Sequence, residues 1–170
     1  MSVKNQIHSI PEEEKDLIIK KSRNGLGIFT RRKFLADETI FEVTGKFVTC
    51  DEDDNLDQKT RDNTYRYDEE RYISPQGRIG DFLNHSCDPN AKVVKRNKKL
   101  FIVALCPIPR GVEVVFDYST ILASDDIWKM NCNCGSTHCR KVIKKFNSLP
   151  KQLQKKYISQ DMVPSYILNL

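Results

Sequence analysis

The apolar residues of this chain occur in short runs that are interrupted by glycine, proline and asparagine. The longest run, residues 100–106, is far below the roughly 20 residues that a membrane-spanning helix needs. Short runs rich in β-branched and aromatic residues, bounded by turn-forming residues, are typical of β-strands. The spacing therefore predicts a mostly β fold built from small sheets.

Several segments carry this strand signal. Residues 17–19 form a strand that enters a turn, and residues 40–48 form another that is interrupted at Gly45. Residues 91–95 and 100–105 flank a polar tetrapeptide, which predicts a hairpin, and residues 113–118 predict a further strand. Only the end of the chain indicates helix.

The helical signal begins near residue 148. Ser148 can cap a helix and Pro150 suits its first turn, while Leu149, Leu153 and Tyr157 recur every four residues. We expect a short C-terminal helix with one apolar face.

The length of 170 residues suggests one domain, and the composition is that of a soluble globular protein, with 39% hydrophobic and 30% charged residues. The first fifteen residues have no apolar stretch of the kind found in secretory signals. We expect no transmembrane segment and a cytoplasmic or nuclear location. A secreted effector remains an open alternative.

Charge is distributed unevenly along the chain. The formal net charge is +5, which first suggests nucleic acid as a partner. Residues 140–160 carry seven basic side chains and no acidic one, whereas residues 51–70 carry nine acidic and three basic ones. Both runs have a simpler interpretation as solvated surface. Apart from Phe146 and Tyr157, which lie at core-like spacing, stacking aromatic residues are not interleaved with the basic ones, so we expect no direct nucleic-acid binding. We also expect no membrane binding.

Three of the six cysteines, Cys132, Cys134 and Cys139, lie within eight residues. In a reducing compartment this spacing favours metal binding over disulfides, and structural zinc requires four tetrahedral ligands. The residue pattern leaves four candidates for the fourth ligand, which are Cys87, Cys50, Cys106 and His138.

Three further motifs could carry chemistry. Each also has a simpler structural interpretation. The Gly-Leu-Gly motif of residues 25–27 could simply form a turn. In the Asn-His-Ser-Cys motif of residues 84–87, His85 could be a hydrogen-bonded structural group, and Tyr118 at the end of residues 113–118 could be an aromatic side chain that fills the core.

Taken together and in this order, the three motifs and the cysteine pattern of residues 132–140 resemble SET-domain protein lysine methyltransferases with a post-SET zinc motif. The chain is most similar to a small, bacterial-type member without a pre-SET region. The resemblance implies a β-clip fold of small sheets with a pseudoknot, a zinc-bound post-SET segment and short C-terminal helices. It divides the chain into a lead-in (1–16), a SET domain (17–120) with an acidic insert (49–72), a post-SET segment (121–145) and a helical extension (146–170).

The resemblance also implies the chemistry and the residues. S-adenosylmethionine would donate a methyl group to the ε-amine of a protein lysine, leaving S-adenosylhomocysteine. The residues implied at the reacting centre are Tyr118, Tyr65 and Phe116. The implied cofactor-binding residues are Gly25, Leu26, Gly27, Tyr72, Asn84, His85 and Tyr118. The implied zinc ligands are Cys87, Cys132, Cys134 and Cys139.

Two finer expectations follow from the resemblance. Phe116 lacks the hydroxyl that holds a water where a tyrosine stands, so di- or trimethylation is expected. The acidic insert would form one wall of the substrate groove, which favours a basic protein substrate such as a histone-like or ribosomal tail. The alternative hypothesis is a catalytically inactive SET-like module that binds a peptide.

Overall fold

The structure, a computed structural model, describes residues 14–169. The predicted lead-in, residues 1–16, therefore lies largely outside the described residues. Short strands predominate in the described part, as expected. The strands are β1 (Leu17–Ser22), β2 (Gly25–Thr30), β3 (Thr39–Val43), β4 (Lys46–Thr49), β5 (Tyr65–Arg66), β6 (Arg71–Ser74), β7 (Asn84–His85), β8 (Ala91–Arg96), β9 (Lys99–Ala104), β10 (Val115–Phe116), β11 (Met130–Asn131) and β12 (Val142–Ile143).

The helices are all short. They are α1 (Cys50–Asp54), α2 (Gln58–Arg61), α3 (Lys151–Ser159) and α4 (Ser165–Leu168), together with 3₁₀ turns at Ile79–Phe82, Tyr118–Ile121 and Phe146–Ser148. Within residues 14–169, no helix has the length and apolar character needed to cross a membrane.

The strands form five small sheets. Two have three strands, in the orders β3-β9-β8 and β4-β6-β5, and the pairs β1-β2, β7-β10 and β11-β12 form the others. The predicted hairpin between β8 and β9 turns at Asn97 and Lys98, which both have positive φ (49° and 59°), as a two-residue hairpin turn requires. Gly45 lies between β3 and β4. A Cβ there would lie 2.1 Å from the carbonyl oxygen of Ser74, so this close approach of two backbones requires glycine.

The C-terminal extension packs into the same hydrophobic core as the sheets. Phe146, Tyr157, Met162 and Ile167 are buried there beside strand residues such as Ile102. The extension is therefore continuous with the core rather than a separate lobe.

Two local expectations were wrong. Residues 113–118 form a strand only at β10, because Asp117 accepts the Ser119 amide hydrogen (3.0 Å) and starts a 3₁₀ turn that begins at Tyr118. Helix α3 begins after Pro150 rather than at Ser148, since the Ser148 hydroxyl donates to the Lys145 carbonyl within its own turn.

The parallel pair β7-β10 organises the centre of the molecule. Val115 pairs with Asn84 and Phe116 with His85, so two motifs separated by about thirty positions become neighbours. Each strand has only two residues, and hydrogen bonds beyond the strands extend the contact, such as the one from the Ser86 amide to the Phe116 carbonyl (3.0 Å).

Candidate active site

Tyr118 lies at the centre of the site because the β7-β10 pair holds the segment that carries it. Its backbone N–H donates to Nδ1 of His85 (3.2 Å), and its hydroxyl donates to the backbone carbonyl of Leu83 (2.7 Å). Burial raises the pKa of the Tyr118 phenol above its ordinary value. The hydroxyl is therefore neutral near pH 7 and acts as a fixed hydrogen-bonding group.

One side of Tyr118 faces a pocket, which we name the aromatic pocket. Tyr65 stacks on Phe116 (ring centroids 5.9 Å apart, interplanar angle 13°), and Phe116 lies 4.9 Å from the ring of Tyr118. Trp128 adds a fourth ring, 6.3 Å from Tyr118. The Tyr65 hydroxyl donates to the Gly80 carbonyl (2.7 Å), so its ring is fixed, and burial raises its pKa well above the ordinary value.

Charged groups line another part of the aromatic pocket. Arg66 is almost fully buried and pairs with Asp125 (2.7 Å) and Asp126 (3.0 Å). Tyr72 also lies here, and its hydroxyl donates to Asp126 (2.7 Å). The structure thus places Tyr72 in the aromatic pocket, apart from the cavity that Asn84 and His85 line, and its predicted contact with a cofactor remains a prediction.

A second cavity of about 300 Å³ lies on the other side of Tyr118. We name it the asparagine-lined pocket, because amide side chains dominate its wall, at Asn24, Asn63, Asn84, Asn131 and Asn133. Lys59 and His85 complete part of the lining. Three residues, Asp62, Asn63 and Tyr118, line both pockets, so the two cavities meet at Tyr118.

The Gly-Leu-Gly motif lies behind this wall. A Cβ on Gly27 would lie 2.2 Å from Oε1 of Glu113 and 2.9 Å from the Asn84 amide nitrogen, so a side chain there would displace these two groups. The Asn84 amide donates to Glu113 (2.8 Å) and to the Leu26 carbonyl (3.0 Å). Gly25 has φ +99° in the hairpin turn. The glycines thus position Asn84, and their direct contact with a cofactor remains a prediction.

The cysteine cluster lies beside β7. Nε2 of His85 and the sulfurs of Cys87, Cys132 and Cys134 all lie within 4.8 Å of one another. The Cys87 and Cys132 sulfurs are 3.8 Å apart, and the edge of a tetrahedral zinc–thiolate site with 2.3 Å bonds is about 3.8 Å. Burial opposes ionisation of Cys134, but hydrogen bonds from the backbone of Cys87 and Ser136 outweigh it and lower its pKa to about 7. The donor set fits zinc.

Cys139 and His85 compete for the fourth place. Burial lowers the pKa of His85 to about 4, so the ring is neutral, and Nδ1 accepts the Tyr118 amide hydrogen. The ring proton therefore lies on Nε2, which points at the Cys87 sulfur 3.3 Å away and lacks a free lone pair for a metal. Cys139 lies 3.7 Å from the Cys132 carbonyl and interacts with the Cys132 and Cys134 thiols. This arrangement favours Cys139 as the ligand.

Neither Trp128 nor Asp62 was predicted from the sequence as a site residue. The Trp128 indole N–H donates to the Asp62 carboxylate (2.7 Å), which joins the acidic insert to the segment before the cysteines. The available signal was weak: Trp128 is the single tryptophan of the chain and lies in a polar stretch between two recognised motifs.

Comparison with known proteins agrees with this arrangement. The model of the SET domain family matches residues 25–119. Histone-lysine N-methyltransferase Su(var)3-9 of Drosophila pseudoobscura pseudoobscura is 31% identical over 162 residues, covering 75% of this chain and 25% of the relative. Histone-lysine N-methyltransferase NSD3 of Mus musculus is 28% identical over 134 residues, covering 72% and 9%. The chain thus spans a quarter or less of the length of these relatives.

Among solved structures, the fold is similar to that of KRYPTONITE, crystallised in complex with mCHH DNA, H3(1-15) peptide and SAH. The TM-score is 0.59 at 19% identity, over 75% of this chain and 29% of that one. The expected mostly β SET fold is confirmed. From the family match and the shared fold, this chain belongs to the SET-domain family.

Proposed function

We propose that this chain is an S-adenosylmethionine-dependent protein-lysine N-methyltransferase. The observation that carries the proposal is that Tyr118 lines both pockets, so that a methyl donor in one and a lysine side chain in the other would meet at its hydroxyl. The relatives named as histone-lysine methyltransferases support the same reaction class.

The asparagine-lined pocket has the donor set that the cofactor requires. S-adenosylmethionine, when bound, supplies an electrophilic methyl group on a sulfonium. Side-chain amides both donate and accept, which suits ribose hydroxyls and an adenine edge. Asn84 offers its carbonyl oxygen as an acceptor, since its N–H groups already donate to Glu113 and to the Leu26 carbonyl. Lys59 offers a cation to the cofactor carboxylate, and Asp62 offers an anion to its ammonium group.

The aromatic pocket would prepare the lysine. Tyr65, Phe116 and Trp128 surround the alkyl stem and attract the cationic head through their π faces. Removal of water lowers the pKa of the amine and favours its neutral, nucleophilic form. The Tyr118 hydroxyl and the Leu83 carbonyl fix the direction of the amine, and positioning of this kind contributes about 7–11 kcal/mol. Since the pKa of Tyr118 is raised, the amine proton leaves to water rather than to this phenol.

A structural zinc ion would complete the fold around the site. We assign Cys87, Cys132 and Cys134, which lie together in the cluster, as three of its ligands. We assign Cys139 as the fourth in place of His85, on its contact with the Cys132 carbonyl. The Arg140 amide and the His85 ring both direct hydrogens at the Cys87 sulfur (3.4 and 3.3 Å), which would stabilise a thiolate there. The ion would tie the post-SET segment to β7, beside the pocket that receives the cofactor.

The surroundings of the site favour a basic substrate. Asp51, Glu52 and Asp54 on α1 are exposed, and Asp62 lies at the junction of the pockets. A histone-like or ribosomal tail has the matching charge, and such a substrate would be met in the cytoplasm or nucleus. Phe116 carries no hydroxyl to hold a water beside the amine, so the expected product is di- or trimethyllysine.

The test is methyl transfer from labelled S-adenosylmethionine to a whole-proteome extract. We expect label on lysine with the native chain and a large loss with Tyr118→Phe, which keeps the ring. An inactive peptide-binding module would label nothing. Calorimetry of S-adenosylhomocysteine binding with both proteins is the control, because binding without transfer would separate a wrong substrate from a missing cofactor site.

A further inference from the structure

The C-terminal extension (residues 146–169 of the described chain) lies beyond the matched SET region and lines neither pocket. Two of its tyrosines nevertheless reach the residues next to Tyr118 and Tyr65, two of the three tyrosines that line the aromatic pocket. Both contacts are hydrogen bonds across long stretches of sequence.

The first contact is made by Tyr157 on α3. Its hydroxyl donates to Oδ2 of Asp117 (2.9 Å), and Asp117 directly precedes Tyr118. The other carboxylate oxygen of Asp117 accepts from Arg140 (2.7 Å) and from the Ser119 amide (3.0 Å). Asp117 is fully buried and Tyr157 is 2% exposed. One carboxylate thus joins the turn of Tyr118, the post-SET segment and the extension.

The second contact is made by Tyr166 on α4. Its hydroxyl donates to the backbone carbonyl of Arg66 (2.9 Å), and Arg66 directly follows Tyr65 in β5. The extension therefore makes hydrogen bonds to the neighbours in sequence of two side chains that line the aromatic pocket, Tyr118 and Tyr65.

Packing alone does not require these hydroxyls. Phenylalanine would fill the same core positions, whereas a buried hydroxyl destabilises the fold unless it is hydrogen-bonded. The charge of Asp117 is already compensated by Arg140. The Tyr157 hydroxyl therefore orients the Asp117 carboxylate rather than compensating its charge. It holds the second carboxylate oxygen, and with it the 3₁₀ turn that begins at Tyr118.

We propose that the C-terminal extension is a positioning element for the reaction, in which Tyr157 orients Tyr118 through Asp117 and Tyr166 orients Tyr65 through the Arg66 backbone. This inference rests on the proposed function, and it adds residues outside the SET domain to those that determine the rate.

The test compares Tyr157→Phe with Tyr67→Phe in the full-length chain. Tyr67 is a matched control, because it is buried and its hydroxyl donates to a backbone carbonyl, that of Lys98 (3.0 Å), outside both pockets. Each variant loses one hydrogen bond, and Tyr157→Phe should lose more stability, because its partner is a buried carboxylate. We expect kcat to fall about tenfold in Tyr157→Phe with KM unchanged, since a misplacement of about 1 Å costs up to roughly a hundredfold. Tyr67→Phe should keep the wild-type kcat.

A second readout does not depend on activity. Trp128 is the only tryptophan and lies 6.3 Å from the Tyr118 ring, so its fluorescence reports a displacement of Tyr118. We expect the emission to change in Tyr157→Phe and not in Tyr67→Phe. Tyr166→Phe provides a second variant, with kcat expected to fall about threefold because only a backbone carbonyl is released.

The outcomes separate the two proposals. If the native chain transfers no methyl group, the proposed function fails, while the fluorescence comparison still tests the positioning role. The native chain could instead be active while both Tyr157→Phe and Tyr166→Phe keep its kcat and its emission. If these variants lose only stability, as Tyr67→Phe does, the extension has a packing role and the inference is overturned.

Discussion

The hydrogen bond between the Trp128 indole and the Asp62 carboxylate closes one wall of the aromatic pocket. Asp62 caps the end of α2 in the acidic insert, and Trp128 lies in the segment that leads to the cysteines. We predict that breaking this bond weakens binding of the protein substrate. The acidic insert that carries Asp62 and the segment that carries Trp128 would then move independently.

The structure sets the size of the effect. A hydrogen bond to a charged group contributes about 1.5–3 kcal/mol when buried. Both residues are only half-buried, so we expect about 1 kcal/mol, which is about fivefold in an equilibrium constant. The substrate KM should rise by this factor.

A double-mutant cycle provides the assay. Trp128→Phe keeps a ring but removes the donor, and Asp62→Ala removes the acceptor. With S-adenosylmethionine saturating, so that the proposed contact of Asp62 with the cofactor does not limit the rate, each single variant should raise the KM for the protein substrate about fivefold. The double variant should do no worse than either, since both remove the same bond. Asp62→Asn keeps an acceptor oxygen and separates the charge from the hydrogen bond. Additive effects in the double variant, or an unchanged KM in both single variants, would refute the reasoning.

Three further predictions concern the product, the metal and the substrate. Phe116→Tyr should slow the second methyl transfer about fivefold, because a water held by the new hydroxyl at about 1 kcal/mol competes with the first methyl group; an intact-mass time course in which the ratio of mono- to dimethyl product is the same as in the native chain would contradict this. Native mass spectrometry should find one zinc per chain, lost in Cys139→Ser and kept in Cys106→Ser, whose thiol is exposed; zinc retained in Cys139→Ser would reject this ligand set. Charge reversal of the exposed acids of α1 should raise the KM for a basic substrate about tenfold at low salt and less at high salt, and an unchanged KM would disprove the acidic wall.

Local patterns in the sequence predicted a substantial part of the fold. The strand runs, the break at Gly45 and the turn at Asn97 follow from the preferences of a few adjacent residues, and the structure contains them, with the strand of residues 113–118 shortened to β10. Element ends were less predictable. Tyr118 starts a 3₁₀ turn because of the side chain of Asp117, and a strand-like pattern carries no information about such a competing hydrogen bond.

The pairing of distant segments could not be read from the sequence. Periodicity gives no sign that β7 pairs with β10, since each has two residues, nor that Tyr157 reaches Asp117 forty positions away. The same applies to Cys87: spacing left it as one of four candidates for a ligand beyond Cys132, Cys134 and Cys139, and the folded chain places its sulfur 3.8 Å from that of Cys132. The resemblance implied the site residues by position; Tyr72 lies in the aromatic pocket with Asp126, and its contact with a cofactor stays a prediction.

The proposed function requires the two pockets to hold the methyl donor and the lysine acceptor on either side of Tyr118. The most direct test is a crystal structure of the chain with S-adenosylhomocysteine and a lysine peptide found by the labelling experiment. We expect the cofactor product against Asn84 and His85, and the lysine side chain between Tyr65 and Trp128 with its amine near the Tyr118 hydroxyl. S-adenosylhomocysteine in another cavity, or a lysine that does not enter the aromatic pocket, would contradict the account.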